Sequence, residues 1–298
     1  MIVGTAAAQY VMVIPTAGMK EGEEAYAVAA AIPRDAEGLT IIEARSPSDE
    51  RRDRQEGWDC IKSGPTSAYL IFDNVFVPNE RVFMNGETKY SGRPIGQFST
   101  IYRSCIGACV AGQGDVIVGA AAAMAKLTGL SIKAFNDKFD QMLINNEATY
   151  GMGLGAILEG KQHPSGAFYP NGRIAHANKV LVGTLPNETR RLAQEIAGGI
   201  VENGCMPSYL DFQNEDYGEK LLSALQGADD TTPEDRVKMA RLLEWLTIGG
   251  GVPGCMHGGG SPDTGRLVVR LTTKWDELID LARNLSDVEA PLKDEKKK

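Results

Sequence analysis

The stretch "TIYRSCIGACVAGQGDVIVGAAAAMAKLTGL", residues 100–130, decides how the rest of the chain is interpreted. Small or apolar side chains surround most of its helical surface, which is typical of a helix buried between other helices. Four further segments with helical periodicity follow it, residues 133–160, 174–199, 232–251 and 263–285. Antiparallel helices of this length predict a C-terminal helical bundle over residues 97–286.

The residues before this stretch carry strand patterns instead. Runs rich in β-branched and aromatic residues occupy residues 9–16, 25–33, 39–45 and 68–78, and Gly, Pro and charged segments separate them. We therefore predict an α+β fold, with a β-domain over residues 1–96, the bundle over 97–286 and a charged tail over 287–298. The first strand pattern begins close to Met1, so we expect the chain to start partway through the β-domain.

Two helix starts carry capping signals. Thr232 precedes Pro233, which predicts an N-cap followed by proline in the first turn. Asp263 is the corresponding candidate cap of the last helix.

Composition and charge exclude several classes of protein. The net charge of −8, without a stripe of Lys and Arg, argues against a nucleic-acid binder. The apolar run at residues 116–125 is short and bounded by charges, so we expect no membrane span. The start of the chain lacks the basic region of a signal peptide. Five scattered cysteines, an odd number, predict a reduced cytoplasmic protein.

Cys105 and Cys109 are four residues apart and hence share a helix face. The spacing allows an iron–sulfur or other metal site, a redox pair, or simple packing of small residues. A complete cluster needs about four ligands. Tight packing involving Gly107, Ala108, Ala111 and Gly112 explains the stretch without a metal, and we take it as the leading interpretation.

Two glycine-rich segments are candidate ligand loops. Gly198 and Gly199 follow "AQEIA" and either end a helix or let backbone N–H groups approach a phosphate. Residues 249–266 place glycines around Cys255, His257 and Ser261, as in an interhelical linker or a loop folded over a ligand. The standard P-loop, GxGxxG and GxSxG motifs are absent.

Four motifs in order carry a family resemblance: "FDNVFVPNERVF" at 72–83, "YRSCIGACVAGQGD" at 102–115, "RLAQEIAGGIVENGCMPS" at 191–208 and "MHGGGSP" at 256–262. They resemble the flavoprotein family that contains 4-hydroxybutyryl-CoA dehydratase and 4-hydroxyphenylacetate 3-monooxygenase, and they are nearer to the dehydratase. The resemblance implies an acyl-CoA-dehydrogenase-like fold that here lacks the family's N-terminal helical domain. In the dehydratase that domain supplies two cysteine ligands of a [4Fe-4S] cluster.

The residues that differ from the family pattern lie mainly at the positions of the [4Fe-4S] cluster ligands. Cys109 matches one ligand of the cluster, whereas Tyr102 occupies the position of the family's histidine ligand. The family's acid/base glutamate aligns near Ser67, and a family tyrosine is Ile106 here. The resemblance therefore gives Cys109 only as an inherited metal position, and we expect no intact cluster in this chain alone.

The residues that the resemblance assigns to FAD binding are present. Arg103 matches an arginine that contacts the FAD pyrophosphate, and Gly198 and Gly199 resemble the segment that meets the adenine half of FAD from a neighbouring subunit. A guanidinium fork and backbone N–H groups both suit a pyrophosphate. FAD is the expected cofactor, and no catalytic residue is assigned.

Three functions follow from these patterns. The first is a flavin-dependent enzyme or subunit acting on an acyl-CoA or related acid, the second an FAD-dependent aromatic hydroxylase, and the third a non-catalytic, truncated paralogue that acts as an oligomeric scaffold. A separate chain that supplies the missing helical domain is a candidate partner. The apolar surface of the shortened bundle predicts a homo-oligomer, a dimer or tetramer.

Overall fold

The computed structural model describes residues 2–3, 7–44, 67–203, 206–248, 260–286 and 288. Two small sheets precede the helical part of the chain, so the predicted α+β class is confirmed. Strands and helices are numbered below in chain order within these residues.

The first part of the chain forms two small antiparallel sheets. Their strands are β1 Ile2–Val3, β2 Tyr10–Val13, β3 Val28–Pro33, β4 Leu39–Ala44, β5 Ser67–Phe72 and β6 Val82–Asn85. One sheet has the order β1–β5–β4 and the other β2–β3–β6. The sequence patterns predict β2 to β5 and miss β6 and the two-residue β1. Strands β7 Lys161–Gln162 and β8 Phe168–Tyr169 form a separate hairpin.

The described helices follow strand β6. They are α1 Thr88–Leu127, α2 Asn136–Leu158, α3 Gly172–Val182, α4 Leu185–Ala197, α5 Gly199–Glu202, α6 Tyr209–Phe212, α7 Gly218–Ala224, α8 Pro233–Thr247, α9 Pro262–Thr272 and α10 Trp275–Ser286. Helix α1 begins inside the range predicted as β-domain, and the division of the chain into domains stays a prediction.

Helix α1 is the central element of the bundle. Its 40 residues extend over roughly 60 Å at 1.5 Å per residue. It packs against α2, α3, α4 and α8. Its C-terminal half supplies much of an apolar core, including Ile117, Ala121 and Met124, and Leu192 and Leu243 from neighbouring helices belong to the same core. The small residues of the opening stretch let these helices approach α1 closely.

By length and composition, α1 is apolar enough to cross a membrane. The apolar run at residues 116–125 therefore underestimates the apolar length of this helix, which extends beyond the run on both sides. Contacts with four other helices give a different reason for its composition, since a helix at the centre of a bundle needs apolar and small side chains.

Short interruptions of two residues break two of the predicted helices. The segment 174–199 divides into α3 and α4 at Gly183 and Thr184, with Pro186 in the first turn of α4. The last segment divides into α9 and α10 at Thr273, whose backbone is extended.

One of the two predicted N-caps is confirmed and the other is wrong. Thr232 caps α8 by accepting a hydrogen bond from the backbone N–H of Asp235 at 3.1 Å, as predicted. The cap of α9 is Ser261, which accepts from the backbone N–H of Thr264 at 3.3 Å. Asp263 is therefore not the cap, because it already lies in the first turn.

Candidate functional site

The crossing of α1 and α2 is built on two glycines. A Cβ atom on Gly107 of α1 would lie 2.1 Å from the carbonyl oxygen of Thr149, and one on Gly153 of α2 would lie 2.5 Å from the carbonyl oxygen of Ser104. Neither position can hold a larger side chain without moving a backbone. The glycines thus fix which face of α1 is buried at this level.

The two cysteines lie on the opposite face. Cys105 and Cys109 are both exposed in the described chain. Of the residues predicted to pack with them, Ala111 is buried with Gly107, whereas Ala108 and Gly112 are exposed. The packing interpretation is therefore wrong for the cysteines, because the close helix contact runs through Gly107, on the other side of α1.

A buried cluster of nitrogen-bearing side chains surrounds Arg103, one turn before Gly107. Only 4% of Arg103 is exposed. Its Nη1 donates a hydrogen bond to Nδ1 of His176 on α3, and its Nη2 donates to Oγ1 of Thr264 on α9 at 2.8 Å. Arg103 thereby joins three helices that lie far apart in sequence.

The electrostatics of this cluster are unfavourable for added positive charge. Burial, with the charge of Arg103 as a smaller cause, lowers the pKa of His176 to about 4. The same two causes lower the pKa of the fully buried Lys179 to about 8. Burial also lowers the pKa of Arg103. At neutral pH His176 is therefore neutral, and its Nδ1 is available as an acceptor.

Asn178 links the helix crossing to the cluster. Its Nδ2 donates to the carbonyl oxygen of Arg103 at 3.4 Å and lies in the space that a side chain at Gly107 would need. Its Oδ1 is buried without a hydrogen-bond partner in the described part of the chain. The orientation of α3 relative to α1 is thus set by the residues that also surround Arg103.

The N-terminus of α9 begins beside the guanidinium. Gly260, with φ of +84°, lies immediately before the cap Ser261, and a Cβ atom there would come within 3.2 Å of Nη2 of Arg103. A positive φ of this size favours glycine. Backbone N–H groups at a helix N-terminus carry a partial positive charge. Arg103, Lys179 and this terminus together create a positive region that suits an anion.

Gly198 and Gly199 lie elsewhere in the bundle. Gly198 separates α4 from α5 with φ of +77°, so glycine is favoured there, and a Cβ atom would meet nothing within 4 Å. The preceding Ile196 and Ala197 pack with the α1 residues around Ala121. Along the axis of α1, Ala121 is roughly 27 Å from Arg103 at 1.5 Å per residue. Within one chain the structure does not bring the predicted cofactor residues together.

The other predicted positions are only partly described. Tyr102 is half-buried and stacks on Phe98 with ring centroids 6.0 Å apart. Among the described residues, no group of three or more His, Cys, Asp or Glu side chains could hold a metal ion. Cys255 and His257, with most of the glycine-rich segment, lie outside the described residues.

Sequence reasoning missed His176, Lys179 and Thr264. A local signal exists for the first two, because His176 and Lys179 are three residues apart on the same side of α3 as the buried Ala175 and Val182. Polar side chains on the apolar side of a helix indicate a buried polar cluster. Their contact with Arg103 has no local signal.

Comparison with known proteins identifies related chains. The family model described as 4-hydroxyphenylacetate 3-hydroxylase C terminal matches residues 92–287, and the corresponding N-terminal model matches residues 1–84. The 4-hydroxybutyryl-CoA dehydratase/vinylacetyl-CoA-Delta-isomerase of Clostridium aminobutyricum is 32% identical, with 93% of this chain and 59% of that protein covered. The oxygenase component of 4-hydroxyphenylacetate 3-monooxygenase from Thermus thermophilus is 26% identical, with coverage of 82% and 50%.

Similar solved structures also include a dehydratase and a monooxygenase. An oxygen-tolerant 4-hydroxybutyryl-CoA dehydratase from N. maritimus superposes with a TM-score of 0.90 at 31% identity, covering 99% of this chain and 60% of that one. The oxygenase component of a 4-hydroxyphenylacetate 3-monooxygenase complexed with FAD superposes with a TM-score of 0.76 at 21% identity, covering 93% and 58%. The chain thus spans 50 to 59% of the length of these two curated relatives.

Proposed function

Because the chain belongs to the 4-hydroxyphenylacetate 3-hydroxylase family, we propose that it is a flavin-dependent enzyme, or one subunit of such an enzyme, acting on an acyl-CoA or a related acid. The observation that carries this proposal is the 32% identity with a 4-hydroxybutyryl-CoA dehydratase over 93% of the chain. The acyl-CoA-dehydrogenase-like α+β fold is common to the relatives.

FAD is the proposed cofactor, and Arg103 would bind its pyrophosphate. The donor chemistry fits: a guanidinium with Lys179 and the N-terminus of α9 nearby favours a phosphate group. His176 and Thr264 hold the guanidinium in one orientation. Bound FAD would supply the transfer of electrons to or from the substrate.

Gly198 and Gly199 would contact the adenine half of FAD in a second copy of the chain. Their separation from Arg103 along α1 is too large for both groups of one chain to contact the pyrophosphate and the adjoining adenine of the same FAD. A site shared between two copies requires the predicted homo-oligomer, a dimer or tetramer. Exposed apolar side chains on α2, including Ile144, Tyr150 and Leu158, supply surface for such contacts.

The described residues do not fit a [4Fe-4S] cluster. Cys105 and Cys109 are at most half of a usual ligand set, and Tyr102 replaces an imidazole with a phenol. We propose that Cys109 is an inherited ligand position without an intact cluster in this chain. Exposed thiols of this kind suit a reduced cytoplasmic protein.

An FAD-dependent aromatic hydroxylase is the second candidate, favoured by the similarity to monooxygenases over 78 to 82% of this chain.

Titration of the purified protein with FAD, followed by assays with 4-hydroxybutyryl-CoA and with 4-hydroxyphenylacetate, separates the candidates. We expect FAD binding and turnover of the acyl-CoA. Turnover of the aromatic acid alone supports the hydroxylase. A protein that binds no FAD, alone or with a separate chain supplying the helical domain, contradicts both and favours the scaffold.

A further inference from the structure

Helix α10 makes no extensive contact with another element of the described chain. None of its residues is buried. Its large apolar side chains are strongly exposed, with Trp275 at 55%, Leu278 at 50%, Leu281 at 61% and Leu285 at 82%. The preceding helix α9 differs, because Gly265 packs closely against α3. An uncovered helix with this many large apolar side chains indicates an interaction surface.

The apolar residues of α10 have the spacing of a helix–helix seam. Trp275, Leu278, Ala282 and Leu285 follow one another at intervals of three, four and three residues. This spacing is that of the a and d positions of a heptad, which face a partner helix in a coiled coil. Ile279 and Leu281 flank the seam and widen it.

The seam is complementary to itself in antiparallel orientation. If the two copies are related by a two-fold axis at the middle of α10, Trp275 faces Leu285 of the other copy, and Leu278 faces the small Ala282. The charged residues Asp276, Glu277, Asp280 and Arg283 all lie away from the seam. Pairing therefore brings apolar surfaces together without placing like charges in contact.

The charges of α10 disfavour a membrane surface as the occupant. Helices that lie on membranes carry Lys and Arg on the polar face, which attract anionic lipids. The polar face of α10 carries three carboxylates and one guanidinium, so anionic lipids would repel it. A second copy of the same helix covers the apolar face without bringing anionic lipids close to these carboxylates.

The size of the contact agrees with a supporting role in a larger interface. A helix of 12 residues is about 18 Å long, so an α10 pair alone is at the small end of specific interfaces. Leu267 and Leu271 of α9, which are 44% and 72% exposed, add apolar surface at the same end of the chain.

We propose that α10 is a self-association element that pairs antiparallel with α10 of a second copy. The proposal rests on the homo-oligomer proposed above and names the segment that forms one of its contacts.

A matched pair of substitutions tests α10 in the full-length chain. Leu285→Asp places a negative charge in the seam, and Asn284→Asp places the same charge one residue away on the polar face. Sedimentation over a range of protein concentrations should show that L285D raises the dissociation constant at least tenfold, while N284D changes it less than threefold. Neither position is buried, so circular dichroism should show the same helix content in both variants.

Cross-linking tests the antiparallel orientation. In a background with the natural cysteines replaced by serine, the double variant Trp275→Cys/Leu285→Cys should form a covalent dimer on oxidation, and each single variant should not. Cross-linking by Trp275→Cys alone contradicts the antiparallel register. An oligomer that L285D leaves intact removes α10 from the interface, whereas a wild-type chain that is monomeric at every concentration removes the homo-oligomer itself.

Discussion

Arg103 of α1 and His176 of α3 form a buried hydrogen bond in which Nη1 of the guanidinium donates to Nδ1 of the imidazole. The geometry requires an unprotonated Nδ1, since a guanidinium only donates. The low pKa of His176 satisfies this requirement at neutral pH. The orientation of Arg103 thus depends on the protonation state of His176.

The stability of the protein should therefore decrease in mild acid. The pKa of His176 is about 4 in the folded chain and near 6.5 when unfolded, so between these values the unfolded state binds a proton that the folded state does not. The stabilisation is complete above pH 6.5 and is lost as the pH falls toward 4. We expect a loss of about 2–3 kcal/mol from this group.

Urea unfolding at a fixed protein concentration, repeated at several pH values, measures this effect. His176→Asn keeps an acceptor oxygen but cannot be protonated in this range, so its free energy of unfolding should depend less on pH. His163→Asn, at an exposed histidine, is the control and should follow the wild type. Equal pH dependence in H176N and the wild type contradicts the assignment.

Alanine substitutions at two glycines of α1 should change the free energy of unfolding in opposite directions. Gly107→Ala forces a Cβ atom against the carbonyl of Thr149, and such overpacking typically costs about 1–3 kcal/mol. Gly112→Ala meets nothing within 4 Å in the described chain and should stabilise the helix by up to about 1 kcal/mol. Urea unfolding of the two variants checks both signs. A stable G107A protein would mean that the α1–α2 contact is not as close as described.

The sequence predicts the fold class because composition and periodicity act over many residues. The small and apolar residues at 100–130 predict a central helix, and the structure places α1 there. The breaks at Gly183 and Thr273 are harder to predict, because each spans only two residues, which a periodic pattern averages out.

The candidate site was less predictable from local sequence. The spacing of Cys105 and Cys109 shows that they share a face of α1, but only the contact of Gly107 with α2 decides which face is buried. His176 and Thr264 are 73 and 161 residues from Arg103. Contacts over such distances depend on how helices cross, which no spacing rule encodes.

Reconstitution with iron and sulfide under anaerobic conditions should yield no intact cluster in this chain. Two cysteines on one helix face provide about half of the usual ligands, and Tyr102 cannot substitute well for an imidazole. Iron and sulfide analysis checks the result, with Cys109→Ser as the comparison. About four irons per wild-type chain, lost in C109S, would show that the cluster position is functional.

The most direct test of the central claim is the affinity of the purified chain for FAD in three arginine variants. Arg103→Ala should weaken FAD binding by about 1–3 kcal/mol, the range for a hydrogen bond to a charged group, and Arg103→Lys should restore only part of it because the fork is lost. Arg191→Ala, at an exposed arginine that pairs with Glu188, is the control and should bind like the wild type. Equal affinity in the wild type, R103A and R191A would contradict the assignment of Arg103 to the flavin site.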